Sequence, residues 1–143
     1  MEKVVKKKEL RIEARNQAGI MAEIAAAMAD NGVNIDNFCA YNCGENSVIN
    51  LLTSDNAKAR KVLEGRGYAI EEREVVLLLL WNRPGALSTI AGKIRDAGIN
   101  LQSVYGTSTP GGERTAIVFL SEDNAKASEI FDEMVLAEAE HTV

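Results

Sequence analysis

The pattern with the clearest chemical meaning is Asn-x-x-Gly, which occurs twice, as Asn16-Gln17-Ala18-Gly19 and as Asn82-Arg83-Pro84-Gly85. An amphipathic helix is predicted to begin after each glycine, so the backbone N–H groups of Ile20 and Ala86 lie at a predicted helix start. Such groups, with the helix dipole, favour a carboxylate or another small anion. The glycine lets a ligand approach the backbone, and the asparagine can hydrogen-bond a ligand or simply cap the turn. The pattern predicts either a ligand site or a plain helix cap.

Catalytic or metal chemistry is hard to place in this sequence. The only histidine, His141, lies close to the C-terminal end, where chains tend to fray. A Ser-His-Asp or Cys-His arrangement cannot be assembled without it. Cys39 and Cys43 could form half a metal site, but there is no further cysteine to complete it. We therefore expect no catalytic residue, no metal and no cofactor, and free thiols are typical of a cytoplasmic protein.

The chain contains an internal repeat that covers most of its 143 residues. The two Asn-x-x-Gly patterns are 66 residues apart (82 − 16), and Asp30, Gly32 and Asn34 return at the same spacing as Asp96, Gly98 and Asn100. A second pattern, Asp-Asn-Ala-Lys-Ala, begins at Asp55 and again at Asp123, 68 residues apart (123 − 55). Two copies of one small unit are predicted, with boundaries at 1–73 and 74–143.

Composition excludes several classes of protein. The formal net charge is −5 and aromatic residues make up 5% of the chain, so a nucleic-acid-binding surface is not expected. The basic start, with Lys3 and three further lysines at positions 6–8, is interpreted as a solvated strand entry. No apolar run approaches the length of about 20 residues that a membrane span needs, and no signal peptide is recognised.

Hydrophobic periodicity predicts the same elements in both copies. Leu10, Ile12 and Ala14 alternate with charged residues as in a half-buried strand, and Val75 to Trp81 is apolar throughout, as in a strand covered on both faces. A helix, two strands and a second helix follow, with Gly32 and Gly98 expected to end the first helix of each copy. A fourth strand is predicted from about Tyr68 to Arg73. The order βαββαβ defines an α+β fold of the ferredoxin-like type, with antiparallel sheets and helices on one face.

Geometry restricts where the asparagines could meet a ligand. Asn82 and Asn100 lie at opposite ends of one helix of about 12 residues, hence about 18 Å apart. One small molecule cannot contact both within a single copy. If all four asparagines bind, the site must lie between the copies, with Asn82 facing Asn34 and Asn16 facing Asn100.

The second copy resembles the ACT domain, a small regulatory unit found on enzymes of amino-acid metabolism. The resemblance rests on Trp81-Asn82-Arg83-Pro84-Gly85-Ala86-Leu87 followed by Asp96-Ala97-Gly98-Ile99-Asn100-Leu101, and it extends to copy one through the repeat. It is greatest for the regulatory domain of phosphoglycerate dehydrogenase, in which asparagines hold serine at a domain interface. The resemblance implies βαββαβ units placed side by side, with an amino acid bound at their seam.

The binding positions implied by the resemblance and the repeat are Asn82, Arg83, Gly85, Ala86, Asn100, Asn16, Gln17, Gly19, Ile20 and Asn34. Two positions depart from the family pattern. The serine-binding domains carry a histidine two residues before the loop asparagine, whereas Leu80 and Ala14 stand here. Ala18 also replaces the usual loop proline in copy one. A more apolar amino acid than serine would suit Leu80.

We therefore expect a non-catalytic, cytoplasmic regulatory protein that binds a free amino acid and forms a homodimer. The alternative is an interaction module that docks to a separate enzyme of amino-acid metabolism, with or without its own ligand. A heavy-metal carrier of the same fold would place Cys-x-x-Cys in the first strand–helix loop, where this chain has Asn-x-x-Gly. Nucleic acid and membrane are not expected as partners.

Overall fold

The computed structural model describes the backbone of residues 3–140 and the side chains of residues 3–136, so His141 lies outside the described residues. Strands and helices alternate in the order βαββαβαββα. Their bounds are β1 Lys3–Arg15, α1 Ile20–Asp30, β2 Ile35–Cys43, β3 Asn46–Thr53, α2 Asn56–Gly65, β4 Ala69–Trp81, α3 Ala86–Asp96, β5 Leu101–Ser108, β6 Arg114–Ser121 and α4 Asn124–Glu140. The predicted antiparallel sheet with accompanying helices is confirmed.

The chain divides into two compact units, and the divisions fall inside two long strands. Unit A consists of residues 8–73, and unit B consists of residues 3–7 together with the described residues from 74 onward. Strands β1 and β4 are each 13 residues long, and each contributes one part to unit A and the other part to unit B. Unit A is therefore one continuous segment, whereas unit B combines two separate segments of the chain.

This division differs from the sequence-based boundaries 1–73 and 74–143 at residues 3–7. Those boundaries assign the whole of β1 to copy one, whereas the structure places residues 3–7 in unit B. There Val4 packs against the hydrophobic core of that unit. The physical reason is that the described part of unit B ends in helix α4, so its sheet takes a strand from the N-terminal segment instead.

Unit A has the strand order β2-β3-β1-β4, in which β3 pairs antiparallel with both β1 and β2. The register places Leu10 opposite Leu51 and Ile12 opposite Ile49, so these four side chains share one face of the sheet. Helices α1 and α2 cover that face. The core consists of Leu10, Ile12, Ile24, Ala27, Met28, Val33, Ile49, Leu51, Ala59 and Leu63, and the part of β4 in this unit adds Ile70 to it.

Unit B has the strand order β1-β4-β6-β5 and an equivalent core. Val76 lies opposite Phe119 and Leu78 lies opposite Ile117, again on the face covered by helices. The rings of Phe119 and Phe131 meet edge to face with centroids 5.4 Å apart, which is a favoured aromatic geometry. The core consists of Val76, Leu78, Leu80, Ile90, Ile94, Ile99, Ile117, Phe119, Ala127 and Phe131.

The repeated Asp-Asn pattern before α2 and α4 has two structural roles. Asp55 caps α2, since its Oδ1 accepts a hydrogen bond from the Lys58 backbone N–H at 3.0 Å, and Asp123 makes the same bond to Lys126 at 3.0 Å. Both aspartates therefore cap the helix that follows them. The asparagine that follows each aspartate bonds to the backbone of a neighbouring long strand. The sequence did not reveal this role.

Those asparagine bonds fall where the long strands pass from one unit to the other. Asn56 Nδ2 donates to the Lys8 carbonyl at 2.8 Å, and Asn124 Nδ2 donates to the Glu74 carbonyl at 2.7 Å. Asn124 Oδ1 also accepts from the backbone N–H and the hydroxyl of Ser121, both at 2.9 Å. One amide thus joins the start of α4 to β4 and β6.

Replacing Asn124 with alanine is expected to lower the free energy of unfolding by about 1–3 kcal/mol, because three hydrogen bonds are lost and a carbonyl is left without its partner. Chemical denaturation followed by Trp81 fluorescence measures this change. The matched control is Asn46→Ala, since Asn46 donates to the exposed Glu13 carboxylate at 3.2 Å and its loss should cost much less. Equal effects of the two substitutions would contradict the structural role of Asn124.

Candidate functional site

The loop between β4 and α3 presents the Asn-x-x-Gly pattern of copy two at the edge of unit B. Gly85 caps α3 with a φ of 89°, and Gly19 caps α1 with a φ of 87°. Both angles lie in the left-handed region, where a side chain is strained, so the glycine is required by the backbone. Helix α3 begins at Ala86 and α1 at Ile20. Pro84 precedes the cap and therefore lies outside the helix, although proline is common at the first helical position.

The loop asparagine connects its loop to the turn before the third strand of the repeat. The Asn82 backbone N–H donates to the Glu113 carbonyl at 2.8 Å, and its side-chain Nδ2 donates to the Gly112 carbonyl at 2.9 Å. In copy one the Asn16 backbone N–H donates to the Glu45 carbonyl at 2.8 Å, and Asn16 Oδ1 accepts from the Ser47 hydroxyl at 3.5 Å. Each asparagine therefore holds its loop against the neighbouring turn, and neither side chain caps the helix that follows.

A groove of about 360 Å³ lies beside this loop, between the start of α3 and strand β5. Its volume is within the range of about 300–1,000 Å³ that is typical of small-molecule sites. It is lined by Asn82, Arg83, Ala86, Leu87, Val104, Tyr105, Gly106, Thr107, Ser108, Thr115 and Ile117. We call it the α3–β5 groove. It brings three of the predicted binding residues together, namely Asn82, Arg83 and Ala86.

The groove has a polar end and an apolar wall. At the polar end are Arg83 and the first turn of α3, where the Leu87 N–H has no acceptor inside the helix. The Ala86 N–H is less available, because it donates to the Arg83 carbonyl at 3.2 Å. Val104 and Leu87 provide the apolar wall and are 52% and 56% exposed. A small carboxylate with an apolar side chain matches both surfaces.

A second cavity of about 230 Å³ lies on the other side of the same loop. Gly85 lines it together with Arg83, Pro84, Trp81 and Met134. Trp81 is 41% exposed, and the guanidinium carbon of Arg114 stands 3.2 Å from its ring centroid in a cation–π contact. Trp81 therefore lies next to the loop and can report fluorescence changes there.

The remaining predicted residues of copy two do not join the groove. Asn100 lines a separate, shallow depression of about 400 Å³ at the far end of α3, with its backbone N–H bonded to Glu122 Oε1 at 3.1 Å. Helix α3 has 11 residues and is therefore about 16 Å long, and Asn82 and Asn100 lie beyond its opposite ends. The expectation that one molecule cannot contact both within one copy agrees with this geometry.

In copy one, the predicted residues are likewise divided between the two ends of the first helix. Asn16, Gln17 and Gly19 lie on the exposed loop before α1, and Ile20 is the first, half-buried residue of that helix. Asn34 lies beyond the other end of α1, where its backbone N–H donates to the Ser54 hydroxyl at 2.9 Å and its Nδ2 bonds to Asp36. The placement of a ligand between the two copies stays a prediction from the sequence.

Sequence reasoning missed the residues of β5 that form one side of the groove. Val104 lies opposite Phe119 and Gly106 lies opposite Ile117, so both positions face the helix side of the sheet. A Cβ atom on Gly106 would approach the Ala116 carbonyl oxygen to 3.0 Å, so the strand packs closely there. A glycine inside a strand often indicates such a close approach, so Gly106 was the signal in the sequence that could have pointed to this side of the groove.

Metal binding and membrane insertion find no support in the part of the chain that the structure describes. No group of three or more His, Cys, Asp or Glu side chains there is placed to hold a metal ion, and Cys39 and Cys43 are free thiols. Within residues 3–140, no helix combines the length and the apolar character needed to cross a membrane.

Comparison with known proteins identifies one part of the chain. Residues 74–134 match the family model of the ACT domain, which includes the loop after β4, helix α3 and the α3–β5 groove. An ACT domain is thus found in copy two, where the sequence resemblance was greatest. The tandem pair remains a prediction, because the match does not extend to copy one. No protein among the curated sequences matches this chain.

Solved structures show the same fold over nearly the whole chain. A protein from Bacteroides thetaiotaomicron is similar with a TM-score of 0.84 and 23% identity, covering 92% of this chain and 90% of that one. The regulatory subunit of aspartate kinase from Thermus thermophilus has a TM-score of 0.66 and 15% identity, covering 91% of this chain and 95% of that one. The equivalent subunit from Thermus flavus has a TM-score of 0.63, 16% identity, and covers 91% and 95%.

Proposed function

We propose that this chain is a non-catalytic regulatory protein that binds a free amino acid in the α3–β5 groove. The observation that carries the proposal is the coincidence of that groove with the ACT-domain match and with the loop Asn82-Arg83-Pro84-Gly85. Regulatory subunits of aspartate kinase with the same fold support a role in amino-acid metabolism. The regulated partner would be an enzyme of that metabolism.

The groove chemistry supports one orientation of the ligand. The carboxylate would accept hydrogen bonds from the first turn of α3 and pair with the Arg83 guanidinium, because both carry positive charge or partial charge. The ammonium group would be held by Asn82 Oδ1, since its Nδ2 is already bonded to the Gly112 carbonyl. The side chain would rest against Val104 and Leu87. An aliphatic amino acid fits this arrangement better than serine.

Regulation requires that the ligand bind one state of the protein more tightly than another. Leu87 and Val104 are exposed apolar residues at the groove, so a bound amino acid with an apolar side chain would alter the surface offered to a partner. The alternative function, a module that docks to an enzyme without its own ligand, uses the same exposed residues. The two proposals differ in whether an amino acid binds to the isolated chain.

A thermal-shift screen of the twenty amino acids is expected to identify a ligand among the aliphatic ones. A ligand at one hundred times its Kd stabilises the folded state by about 2.7 kcal/mol, which raises the Tm by several degrees. The shift should disappear in Asn82→Ala and persist in the matched variant Asn16→Ala, each compared with its own ligand-free Tm. No shift with any amino acid at millimolar concentration would exclude this function and favour the docking module.

A further inference from the structure

Strand β5 has a gap in the row of side chains that it presents to the helix side of the sheet. Val104 lies opposite Phe119 and Gly106 lies opposite Ile117, so all four positions belong to one face. Gly106 has no side chain to place on that face, and both Gly106 and Ile117 line the α3–β5 groove. The floor of the groove is therefore lower at Gly106 than beside Val104.

The floor at Gly106 is formed by the side chain of Ile117. A Cβ atom on residue 106 would lie 3.1 Å from Ile117 Cγ1 and would cover part of that side chain. Ile117 is buried and belongs to the core of unit B, so its position is held by the close packing around it. The glycine therefore leaves a fixed apolar surface within reach of a molecule in the groove.

Copy one carries larger residues at the two equivalent positions of its own strand, β2. Ala40 stands at the position of Gly106, and Phe38 at that of Val104, each at the repeat spacing of 66 residues (106 − 40). Ala40 also lies opposite a buried isoleucine, Ile49, in the pairing of β2 with β3. A strand in this register thus accommodates an alanine, and the lowered floor is a feature of copy two.

We infer that Gly106 determines which amino acid the α3–β5 groove selects, because it leaves room for a branched aliphatic side chain to contact Ile117. This inference rests on the proposed binding of an amino acid in that groove. With the carboxylate at the first turn of α3 and the ammonium group at Asn82, the ligand side chain extends toward β5. The methyl groups of leucine or isoleucine fill the space over Gly106, whereas the single methyl group of alanine leaves that space empty.

Selection among amino acids in this groove depends on apolar contact. Carboxylate and ammonium groups are common to all amino acids, so their hydrogen bonds give no preference among the aliphatic ones. The Thr115 hydroxyl also lines the groove, but it donates its proton to the Thr107 carbonyl at 2.9 Å and does not offer it to a polar ligand side chain. Each methylene group that fits a hydrophobic pocket changes affinity by about tenfold or more. The depth of the floor at Gly106 therefore sets the preference.

Titration calorimetry of the full chain with L-leucine and with L-alanine tests this inference. The wild type should bind L-leucine about tenfold or more tightly than L-alanine. Gly106→Ala should weaken the binding of L-leucine by about tenfold or more and leave that of L-alanine unchanged. The matched control is Gly92→Ala on α3, since a Cβ atom there meets nothing within 4 Å and Gly92 does not line the groove. This control should bind both amino acids as the wild type does.

A second variant tests the floor without adding an atom beside the Ala116 carbonyl, which a Cβ atom on residue 106 would approach to 3.0 Å. Ile117→Val removes one methyl group and should weaken the binding of L-leucine by about fourfold, with that of L-alanine unchanged.

Two negative results have different meanings. Equal affinity of the wild type for L-leucine and L-alanine would overturn the role of Gly106 and leave amino-acid binding in place. Equal weakening of both ligands by Gly106→Ala, together with wild-type binding of both by Ile117→Val, would have the same meaning. Failure of the wild type to bind L-leucine, L-alanine or any other amino acid would overturn the proposed function and this inference with it.

Discussion

Replacing Arg73 with alanine is expected to lower the free energy of unfolding by about 3–5 kcal/mol, because it leaves a buried carboxylate without its main counter-charge. Glu9 is fully buried, and its Oε1 lies 2.7 Å from Arg73 Nη2. The same guanidinium nitrogen lies 3.4 Å from Asn50 Oδ1. Chemical denaturation at neutral pH, followed by circular dichroism, measures the change.

A matched control is provided by an exposed ion pair of equal length in the same unit. Arg60 Nε lies 2.7 Å from Glu64 Oε1 at an i, i+4 spacing on α2, with side chains that are 42% and 48% exposed. Arg60→Ala should therefore cost less than about 1 kcal/mol. The double variant Glu9→Leu with Arg73→Met should recover most of the loss, since it removes the buried charge as well. Similar costs for Arg73→Ala and Arg60→Ala would show that burial does not determine the effect.

Deleting residues 1–7 is expected to unfold unit B while unit A remains folded. The deletion removes the segment of β1 that belongs to unit B, so β4 loses a neighbouring strand and the core loses its contact with Val4. A small unit has little stability in excess, so the loss of one strand is enough. Trp81, the only tryptophan, lies in unit B and should report a solvent-exposed environment, whereas circular dichroism should retain signal from unit A.

Two point variants distinguish the apolar packing of residues 3–7 from the charge of this segment. Val4→Asn should destabilise unit B because it places an amide against an apolar core, whereas Lys3→Asn at the exposed neighbouring position should have little effect. Cooperative unfolding of the shortened chain with the wild-type Tm would show that residues 3–7 are not part of unit B.

Local patterns were sufficient to predict most of the elements. The alternation of Leu10 and Ile12 and the helix stops at Gly32 and Gly98 depend on residues close in sequence. Gly32 and Gly98 adopt φ angles of 67° and 70°, as the prediction required. Each of these positions is determined by backbone sterics or by a hydrogen bond within one turn.

The distribution of strands between units could not be predicted in the same way. Val4 and Val5 are followed by Lys6, Lys7 and Lys8, so this segment has no clear apolar alternation of its own. Its place in unit B depends on contacts with residues more than 60 positions away, which no local pattern records. The same limitation applies to Glu9, whose ion-pair partner Arg73 lies in another strand.

One side of the candidate site was predicted from the sequence. The loop with Asn82 and Arg83 was recognised because it repeats, and the structure places it at the α3–β5 groove. The opposite wall was missed because Val104 and Gly106 become neighbours of the loop through pairing of β5 with β6. Asn100 matched the same family pattern, but it lies at the other end of α3.

The most direct test of amino-acid binding in the groove is titration calorimetry with the amino acid that gives the largest thermal shift. Val104→Trp fills the groove at an exposed position, and Phe38→Trp is the matched variant at the equivalent exposed position of copy one. The wild type and Phe38→Trp should bind the ligand with the same affinity, and Val104→Trp should not bind it. Binding by a folded Val104→Trp variant with wild-type affinity would contradict the assignment of this groove.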